Sequence, residues 1–314
     1  MSHMLSISRN FIDSPAGLPA RIAISLMQAS GQAALVERWS RDLGIPTLKV
    51  EWLREVSKQP KTLFILGSGE SVEDLSAAEW SIVRQNFSIG INAWPLHPFV
   101  PDVLAFEPFN EASTDYLQLF EKVLTEKRFY RKKPKILLFR PKSERDGARY
   151  LLLPEYLKVN ARIYGRYVPI SRNLRTLEGE IVAIDALQRR RLVADSLVLD
   201  SGASVIRMVS LGMRLGFADI VLLGVDLNGG QYFWEKNTTR VSDRGLTSFS
   251  PGFSRPLHQT MSREDKPFIV TEILNTLQRI LQTKNRSLFA GSANSRLASD
   301  LPVWDWSQFE TNRR

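Results

Sequence analysis

The sequence predicts an α/β protein built on a doubly wound, mostly parallel β-sheet. Three observations predict this fold class. Short apolar runs recur from about residue 61 onward, helical patterns separate them, and glycine or polar residues follow several of the runs. Apolar runs without alternation are typical of strands that are covered on both faces, as they are in parallel sheets. Helical segments between the runs supply the crossover connections that parallel strands require.

Six runs have the length and composition of buried strands. They are TLFILG (62–67), FSIGIN (87–92), DVLAFE (102–107), KILLFR (135–140), DIVLLGVD (219–226) and RSLFAGS (286–292). Four segments between or after them show helical spacing. These segments cover residues 71–86, about 111–127, 200–217 and 266–283.

The chain divides into three predicted segments. Residues 1–60 begin with turn residues and continue with helix-like spacing, which predicts an N-terminal helical extension. Residues 61–302 form the main predicted domain, and residues 303–314 form a C-terminal tail. Two stretches of the main domain, 141–180 and 227–262, carry no regular pattern. The second is rich in Gly, Ser and Thr with scattered aromatics, so we predict a lid at about 227–262.

Composition excludes several classes of site. The 314 residues include no cysteine, so a disulfide framework, a thiol nucleophile and a Cys-based zinc site are all excluded. No apolar run reaches the length of a membrane span, and no signal peptide is visible. We therefore expect a cytoplasmic protein.

The net charge of +9 points to an acidic partner or to a basic surface without a specific partner. Basic residues cluster in RFYRKKPK (128–135) and QRRRL (188–192). Such clusters form solvated faces, or they contact a nucleotide or an anionic membrane from its inner side. No nucleic-acid-binding motif with interleaved aromatics occurs, so nucleic acid is not an expected partner.

The stretch LFILGSGES (63–71) joins an apolar run to a helical pattern through two glycines and two serines. Glycines at Gly67 and Gly69 let the backbone approach a ligand, and a helix that starts near Ser71 offers free N–H groups to an anion. The motif lacks the lysine of a phosphate-binding P-loop and the third glycine of a dinucleotide fingerprint. A phosphate site that includes Ser68 and a plain strand–helix turn therefore both remain open.

Other candidates also follow predicted strands, because ligands of doubly wound sheets bind beyond the carboxyl ends of the strands. Asn92 could read a ribose or a base edge, or it could cap a helix. In LDSGASV (199–205), Ser201 could cap the next helix and Gly202 would permit close approach of a phosphate. Asp226 ends a further strand, but no Asp-x-Asp pair occurs in the chain, which disfavours a divalent-metal clamp.

Two histidines lie in the main predicted domain. His97 stands among prolines in PLHPFVPD (95–102), which indicates a structural role. His258 lies near the end of the predicted lid, where a neutral imidazole could accept a proton near neutral pH. No G-x-S-x-G motif is present, so a serine nucleophile of that type is not expected.

Seven short motifs follow one another over about residues 61–302: LFILGSGES, GINAW, AFEPFN, SGASVIRMVSLGMRLGFADIVLLGVD, GGQYFW, LHQT and SANSRLASDLP. Their order resembles that of the small bacterial sialyltransferases that use CMP-sialic acid, and of their relatives in surface-polysaccharide synthesis. The resemblance implies a GT-A-like nucleotide-binding fold and an inverting glycosyl transfer that needs no metal and no cofactor. The implied partners are a CMP-activated sugar and a glycan or glycolipid acceptor.

The resemblance also implies roles for individual residues. His258 would be the general base, and Tyr232 would help the phosphate to leave. The remaining candidates would bind the nucleotide or the donor sugar. They are Gly67, Ser68, Gly69, Ser71, Asn92, Glu107, Ser201, Gly202, Asp226, Asn228, Asn294 and Ser295.

Three departures from the family pattern leave the donor sugar open. Glu107 stands where the family has asparagine, Val198 to Asp200 replace a frequent arginine, and Asn228 lies near the position of a second lid tyrosine. The donor is then sialic acid or another nonulosonic acid, such as Kdo or a pseudaminic-type sugar. Two alternatives remain, a non-catalytic nucleotide- or glycan-binding subunit and a transferase for a different nucleotide sugar. The sequence leaves a homo-oligomer open.

Overall fold

A computed structural model describes most of the chain. The described residues are 17–57, 61–106, 123, 136–140, 150, 155–246, 248–249, 259–263 and 266–309. The helix predicted at about 111–127 lies outside them except for residue 123. Among the described residues, no helix combines the length and the apolar character that a membrane crossing requires.

Nine strands lie within the described residues. In chain order they are β1 (Thr62–Leu66), β2 (Phe87–Ile91), β3 (Val103–Phe106), β4 (Ile136–Phe139), β5 (Ala161–Ile163), β6 (Gly165–Tyr167), β7 (Leu197–Leu199), β8 (Asp219–Leu223) and β9 (Ser287–Ala290). Seven of them form one sheet in the order β5-β4-β3-β2-β1-β8-β9, and every neighbouring pair is parallel. The strands β6 and β7 form a separate parallel pair.

The helices are α1 (Leu18–Leu43), α2 (Val50–Ser57), α3 (Ala77–Gln85), α4 (Glu155–Lys158), α5 (Leu174–Arg189), α6 (Ser204–Leu215), α7 (Phe233–Lys236), α8 (Thr239–Ser242) and α9 (Val270–Gln282). Short 3-10 helices cover Glu70–Asp74, Trp94–Leu96, Gln259–Met261, Arg296–Ser299 and Trp306–Phe309.

All six predicted strands are present, and the mostly parallel α/β sheet is confirmed. The helix predicted at 71–86 is wrong in its first part. A 3-10 helix covers Glu70–Asp74, and α3 begins only after Ser76. The reason is local: the Ser76 hydroxyl accepts from the backbone N–H of Glu79, whose side chain accepts from the N–H of Ser76. This reciprocal capping box starts a new helix there.

The prediction that residues 141–180 are irregular is wrong for the part that the structure describes. That stretch contains β5, β6 and the first half of α5. The two strands have three residues each, and only Tyr164 separates them. Three residues are too few to show a hydrophobic period, so their pairing with distant segments decided the conformation.

The core of the fold lies where α6 crosses the sheet. Every residue of α6 from Val205 to Leu215 is buried. The helix approaches the strands at Gly212, where an added Cβ would lie 2.6 Å from a Leu63 side-chain carbon and 3.0 Å from one of Ile220. A methyl group here would force the ends of the Leu63 and Ile220 side chains to shift within the core.

The N-terminal helices pack on the same core. The hydroxyl of Ser25 in α1 donates to the carboxylate of Glu180 in α5, and Glu180 is fully buried. Glu180 also accepts from the backbone N–H groups of Ile170 and Ser171, each at 3.1 Å. These bonds satisfy the buried carboxylate. The domain boundary at residue 60 stays a prediction.

The first part of the predicted lid packs against the segments that follow β1 and β2. Phe233 and Trp234 are buried, and the Phe233 ring meets His97 edge-on with ring centroids 5.3 Å apart. Arg240 in α8 forms two hydrogen bonds to the Glu73 carboxylate, at 3.0 and 2.8 Å. Residues 233–240 are thus held to the segments after β1 and β2 by an aromatic contact with His97 and by the ion pair between Arg240 and Glu73. The function of residues 227–262 as a lid stays a prediction.

His97 has a lowered pKa, consistent with the structural role predicted for it. Burial among Trp80, Trp94 and Phe233 is the main cause, and together with the charges of Arg240 and Arg244 it lowers the pKa of His97 to about 3. Glu73 lies 3.7 Å from the imidazole Nε2, which favours the charged form. Since Arg240 already neutralises the Glu73 carboxylate, the effect of burial dominates the pKa of His97.

We therefore expect the protein to lose stability in mild acid. In the unfolded chain His97 binds a proton as the pH falls below about 6.5, whereas in the folded protein it does so only near pH 3. The stabilisation present at pH 7 is lost progressively between these values, and at pH 5 about 2 kcal/mol should be lost. Chemical unfolding followed at about pH 7 and about pH 5 measures this difference.

The matched control is His97→Gln, which has no titrating imidazole. Its free energy of unfolding should fall less between the two pH values than that of the unchanged protein. Equal losses in both proteins would contradict the assignment of the pH dependence to His97.

Candidate functional site

The candidate site lies at the carboxyl ends of the central strands. From β1 the chain continues to β2 on one side, whereas β8 pairs with the opposite edge of β1 and leads on to β9. The strand order therefore reverses between β1 and β8. Doubly wound sheets leave a crevice at this topological switch point, and ligands bind there.

The glycine-rich turn after β1 closes tightly on the segment after β8. The backbone N–H of Gly67 donates to the Leu223 carbonyl at 2.7 Å, and that of Gly69 donates to the Gly224 carbonyl at 2.7 Å. A Cβ at Gly67 would overlap the carbonyl oxygen of Gly224. The two glycines thus allow the backbone after β1 to lie directly against the backbone after β8.

Asp226 occupies the place that an anion would take in this turn. Its carboxylate accepts from the backbone N–H of Ser71 at 3.0 Å and from the Ser71 hydroxyl at 2.6 Å. A Cβ at Gly69 would overlap the same carboxylate. The N–H of Glu70 donates to the carbonyl of Gln231 at 3.1 Å. The N–H groups of residues 69–71 are therefore engaged by acceptors of the protein itself.

Asn294 and Ser295, the candidate site residues that follow β9, lie beside Asp226. The Ser295 hydroxyl donates to the Val225 carbonyl at 2.8 Å, and the N–H of Arg296 donates to the Asp226 carbonyl at 2.8 Å. Asn228 donates from Nδ2 to the carbonyl of Asn294 at 3.1 Å. The structure thus brings together Asp226, Asn228, Asn294 and Ser295. Ser295 is buried, whereas Asn294 is exposed.

Tyr232 and Ser68 complete this side of the site. Tyr232 pairs with Gly69 through a backbone bridge, and its ring stacks on Trp234 with centroids 4.5 Å apart. Burial and the charge of Glu235 raise the pKa of the Tyr232 phenol, so that it stays protonated and can donate a hydrogen bond. The hydroxyl oxygen of Ser68 is buried, and no hydrogen-bond partner for it lies within the described residues.

Asn92 belongs to a second group of side chains, which lies at the end of β2. Its backbone is left-handed, with φ of 54°, and its Oδ1 accepts from the Ser204 hydroxyl at 2.9 Å. Arg207 donates to the oxygen of the same hydroxyl at 2.8 Å. Because a guanidinium only donates, the Ser204 hydrogen must point to Asn92, which leaves Asn92 Nδ2 as a donor on the other side.

The second group continues to Asp200, which is 1% exposed. Arg207 donates to its carboxylate at 2.6 Å and Arg166 at 3.0 Å, and Arg140 lies 3.6 Å from it. Burial by itself raises the pKa of Asp200, but the charges of Arg207 and Arg140 overcome this and lower it to about 2. Sequence reasoning missed the three arginines. Their positions are far apart in the chain, and no local motif marks them.

The prediction that Ser201 caps α6 is wrong. The helix begins at Ser204, its N-cap residue is Ala203, and the described residues show no side-chain capping bond from that position. Instead, the Asp200 carboxylate accepts from the N–H of Gly202 at 2.9 Å, and Gly202 has φ of 87°. The left-handed backbone explains why this residue is glycine, because any residue with a Cβ would be strained in this conformation.

Two predicted residues lie outside the described residues, namely Glu107 and His258. Their roles in donor binding and proton transfer stay predictions. Within the described residues, no group of three or more His, Asp or Glu side chains is arranged to hold a metal ion.

No protein-family profile matches the chain, and a search of curated proteins finds no sequence match. Among solved structures, the chain is similar to the sialyltransferase CstII from Campylobacter jejuni in complex with the substrate analogue CMP-3FNeuAc. The identity is 14%, the match covers 78% of this chain and 86% of that chain, and the TM-score is 0.43. The chain is also similar to the complex of CST-II with a trisaccharide acceptor and CMP. The identity is 12%, the match covers 77% of this chain and 86% of that chain, and the TM-score is 0.42. These values do not assign a function to this chain.

We expect the glycine turn to tolerate no side chain. Gly67→Ala would place a methyl group against the Gly224 carbonyl and separate the two segments, at a cost of about 1–3 kcal/mol in the free energy of unfolding. Denaturant unfolding measures this cost.

Gly31→Ala is the matched control, because Gly31 lies within α1 and nothing lies within 4 Å of an added Cβ. This change should stabilise the protein by up to about 1 kcal/mol, since alanine favours a helix over glycine. A Gly67→Ala protein as stable as the unchanged protein would contradict the geometry described for the turn.

Proposed function

We propose that the protein is a metal-independent, inverting glycosyltransferase. It moves sialic acid or a related nonulosonic acid from a CMP-activated donor to a glycan acceptor. One observation carries the proposal: candidates from separate parts of the sequence converge at the carboxyl edge of the sheet. The converging segments are 67–71, 226–232 and 294–295, and they meet around the switch point between β1 and β8, while Asn92 lies at the end of the neighbouring strand β2.

The crevice between β1 and β8 suits the nucleoside part of the donor. Asp226 provides a negative charge there, and Ser68, Asn228 and Asn294 provide polar groups without charge. A carboxylate repels a phosphate but accepts hydrogen bonds from ribose hydroxyls or from the amino group of cytosine. We therefore assign the cytidine to this crevice.

The phosphate of the donor needs stabilisation from other groups. The N–H groups of residues 69–71 already donate to protein acceptors. The start of α6 remains, because no side chain caps it and the helix N-terminus carries a partial positive charge. The Tyr232 phenol is protonated and can donate to the leaving phosphate. Asn92 Nδ2 offers a further donor beside Ser204 at the start of α6.

In the proposed reaction, His258 removes the proton from the acceptor hydroxyl. The acceptor oxygen forms a bond to the anomeric carbon, while the bond from that carbon to the phosphate oxygen breaks. CMP leaves with the electron pair, and attack from the opposite face inverts the anomeric centre. The reaction needs no cofactor, because the group transferred is already activated as a CMP ester.

We further propose that the protein works in the cytoplasm at the inner membrane face, where glycolipid acceptors are accessible. Arg189, Arg190 and Arg191 are exposed at the end of α5, and the neighbouring Leu192 is 68% exposed. Arginines beside an exposed leucine suit contact with an anionic lipid surface.

The test of the proposed function is CMP release from CMP-N-acetylneuraminate in the presence of a glycan acceptor. We expect release by the unchanged protein, with and without EDTA. His258→Ala should lower turnover by about 10²–10⁴-fold, because general-base catalysis contributes that range. Binding of CMP to this variant should stay unchanged. Loss of activity with EDTA would contradict the metal-independent reaction, and normal turnover of the variant would exclude His258 as the base.

A protein that binds CMP but never releases it from a sugar nucleotide would be the binding subunit that the sequence left open. Binding of UDP or GDP in preference to CMP would indicate a different donor.

We expect Asn92 to contribute to CMP binding through its Nδ2 donor. Asn92→Gly and Asn92→Ala should each weaken CMP binding by about threefold to tenfold in calorimetry. Both variants lose the hydrogen bond from the Ser204 hydroxyl, but Asn92→Ala should lower the stability more than Asn92→Gly, because alanine at φ of 54° is strained and glycine is not. Unchanged affinity in the folded glycine variant would contradict the assigned role.

A further inference from the structure

A pocket lies at the outer edge of the sheet, between the end of α1, the start of α2 and the edge strand β5. Its volume is about 380 Å³, which falls in the range of roughly 300–1,000 Å³ that small-molecule sites occupy. We name it the Trp52 pocket. The described residues that line it are Ser40, Pro46, Thr47, Lys49, Trp52 and Arg162.

Backbone hydrogen bonds fix the walls of the Trp52 pocket. The left-handed Gly44, with φ of 64°, ends α1, and the chain then pairs with the edge of β5. The N–H of Leu48 donates to the Ile163 carbonyl at 2.7 Å, and the N–H of Ile163 donates to the Pro46 carbonyl at 3.0 Å. The pocket is therefore formed before a ligand arrives, and binding requires little ordering of the backbone.

Arg162 brings a positive charge with free donors to the pocket. Its guanidinium carbon lies 3.8 Å from the centroid of the Trp52 ring, which is a cation–π contact. Its Nη1 donates to the carbonyl of Ala161 at 2.7 Å. Within the described residues, Nε and Nη2 have no acceptor. These two nitrogens form the edge of a guanidinium that binds a carboxylate through two parallel hydrogen bonds.

The described part of the chain offers no carboxylate to balance the positive charge of the pocket. Neither Arg162 nor Lys49 forms an ion pair with an Asp or Glu of that part. Burial lowers the pKa of Arg162, because a cation that is partly removed from water is less stable. An anion beside the guanidinium would restore part of that stability, and the exposed Lys49 would add to the attraction.

The uncharged part of the lining indicates what the anion is attached to. The half-buried indole of Trp52 and the ring of Pro46 offer apolar surface for the C–H face of a sugar ring. The Ser40 hydroxyl donates to the Ile45 carbonyl at 2.6 Å, so its oxygen remains available as an acceptor for a sugar hydroxyl. Thr47 adds a second hydroxyl. Phosphate alone would leave the indole uncovered, and a neutral sugar would leave the cations unpaired.

The Trp52 pocket is separate from the crevice between β1 and β8. The strand β5 lies four strands from β1 in the sheet. Neighbouring strands are roughly 4.8 Å apart, so the pocket lies about 19 Å from the glycine turn. A single sugar cannot occupy both places.

We propose that the Trp52 pocket binds an acidic sugar, namely a pyranose that carries a carboxylate, as a second site outside the candidate site. Arg162 and Lys49 bind the carboxylate, and Trp52 supports the ring. The inference is drawn from the lining of the pocket and does not rest on the proposed function. The sugar is either a free monosaccharide or the terminal unit of a glycan, and the two sources share one chemistry.

The first experiment measures binding to the unchanged protein by calorimetry, with and without CMP. The ligands are N-acetylneuraminate, its uncharged methyl ester and inorganic phosphate. We expect the acid to bind at least about tenfold more tightly than the ester, because the ester loses charge-assisted hydrogen bonds. Phosphate should bind more weakly than the acid, because it covers no apolar surface. Equal binding of acid and ester, or complete displacement of the acid by CMP, would overturn the inference.

The second experiment assigns this binding to the pocket. Arg162→Gln should weaken binding of N-acetylneuraminate about tenfold or more, and Lys49→Gln about threefold or more. Trp52→Leu should weaken it more than Trp52→Phe, which keeps an aromatic ring. Lys49 is exposed, so Lys49→Gln tests the pocket even if a change at Trp52 disturbs the fold.

Arg175→Gln is the matched control, because Arg175 is an exposed arginine in the first turn of α5 and does not line the pocket. This variant should bind the acid as the unchanged protein does. Thermal unfolding without ligand verifies that each variant is folded. Equal affinities of Arg162→Gln, Lys49→Gln and Arg175→Gln would exclude the pocket as the site.

The third experiment identifies the source of the sugar by comparing N-acetylneuraminate with sialyllactose. Tighter binding of sialyllactose that is lost in Arg162→Gln assigns the end of a glycan, whereas tighter binding of the monosaccharide assigns a free sugar. Binding of neither would overturn the inference. All three experiments measure binding alone, so absence of CMP release from a sugar nucleotide would contradict the proposed function and leave this test intact.

Discussion

The architecture of the site depends on one contact, the closure of the turn after β1 onto the segment after β8. The N–H groups of Gly67 and Gly69 bond to the carbonyls of that segment, and the Asp226 carboxylate binds Ser71 from the other side. This contact joins the two strands at which the sheet reverses its order. The backbone of Tyr232 pairs with Gly69 beside this contact.

The same contact determines the distribution of charge along the edge of the sheet. Because the turn already holds the protein's own carboxylate, it offers a ligand hydrogen-bond acceptors and little positive charge. Positive charge lies instead around Asp200 and the start of α6, where the arginines and Lys266 gather. The proposed CMP-sugar donor combines a neutral nucleoside with an anionic phosphate, which is compatible with this separation of charge.

How much of this could be predicted from the sequence differs between the central strands and the connections. The strands β1, β2 and β8 are mostly apolar, Asn92 follows β2 directly and Asp226 lies three residues after the end of β8, so the strands and the positions of these polar residues were predictable. The three-residue strands β5 to β7 and the uncapped start of α6 were not. The strands depend on pairing with distant segments, and the start of α6 depends on the hydrogen bond between Asp200 and Gly202. No local sequence pattern indicates either of these interactions.

By itself, the sequence determined the fold class, the positions of the long apolar strands and the places where candidate polar residues follow them. These features depend on short stretches whose hydrophobicity and glycine content act locally. Only the tertiary structure decided that Asp226 fills the glycine turn and that Arg140, Arg166 and Arg207 gather on Asp200. Interactions between charges act across space, and these residues are distant in the chain, so only the folded arrangement brings them together.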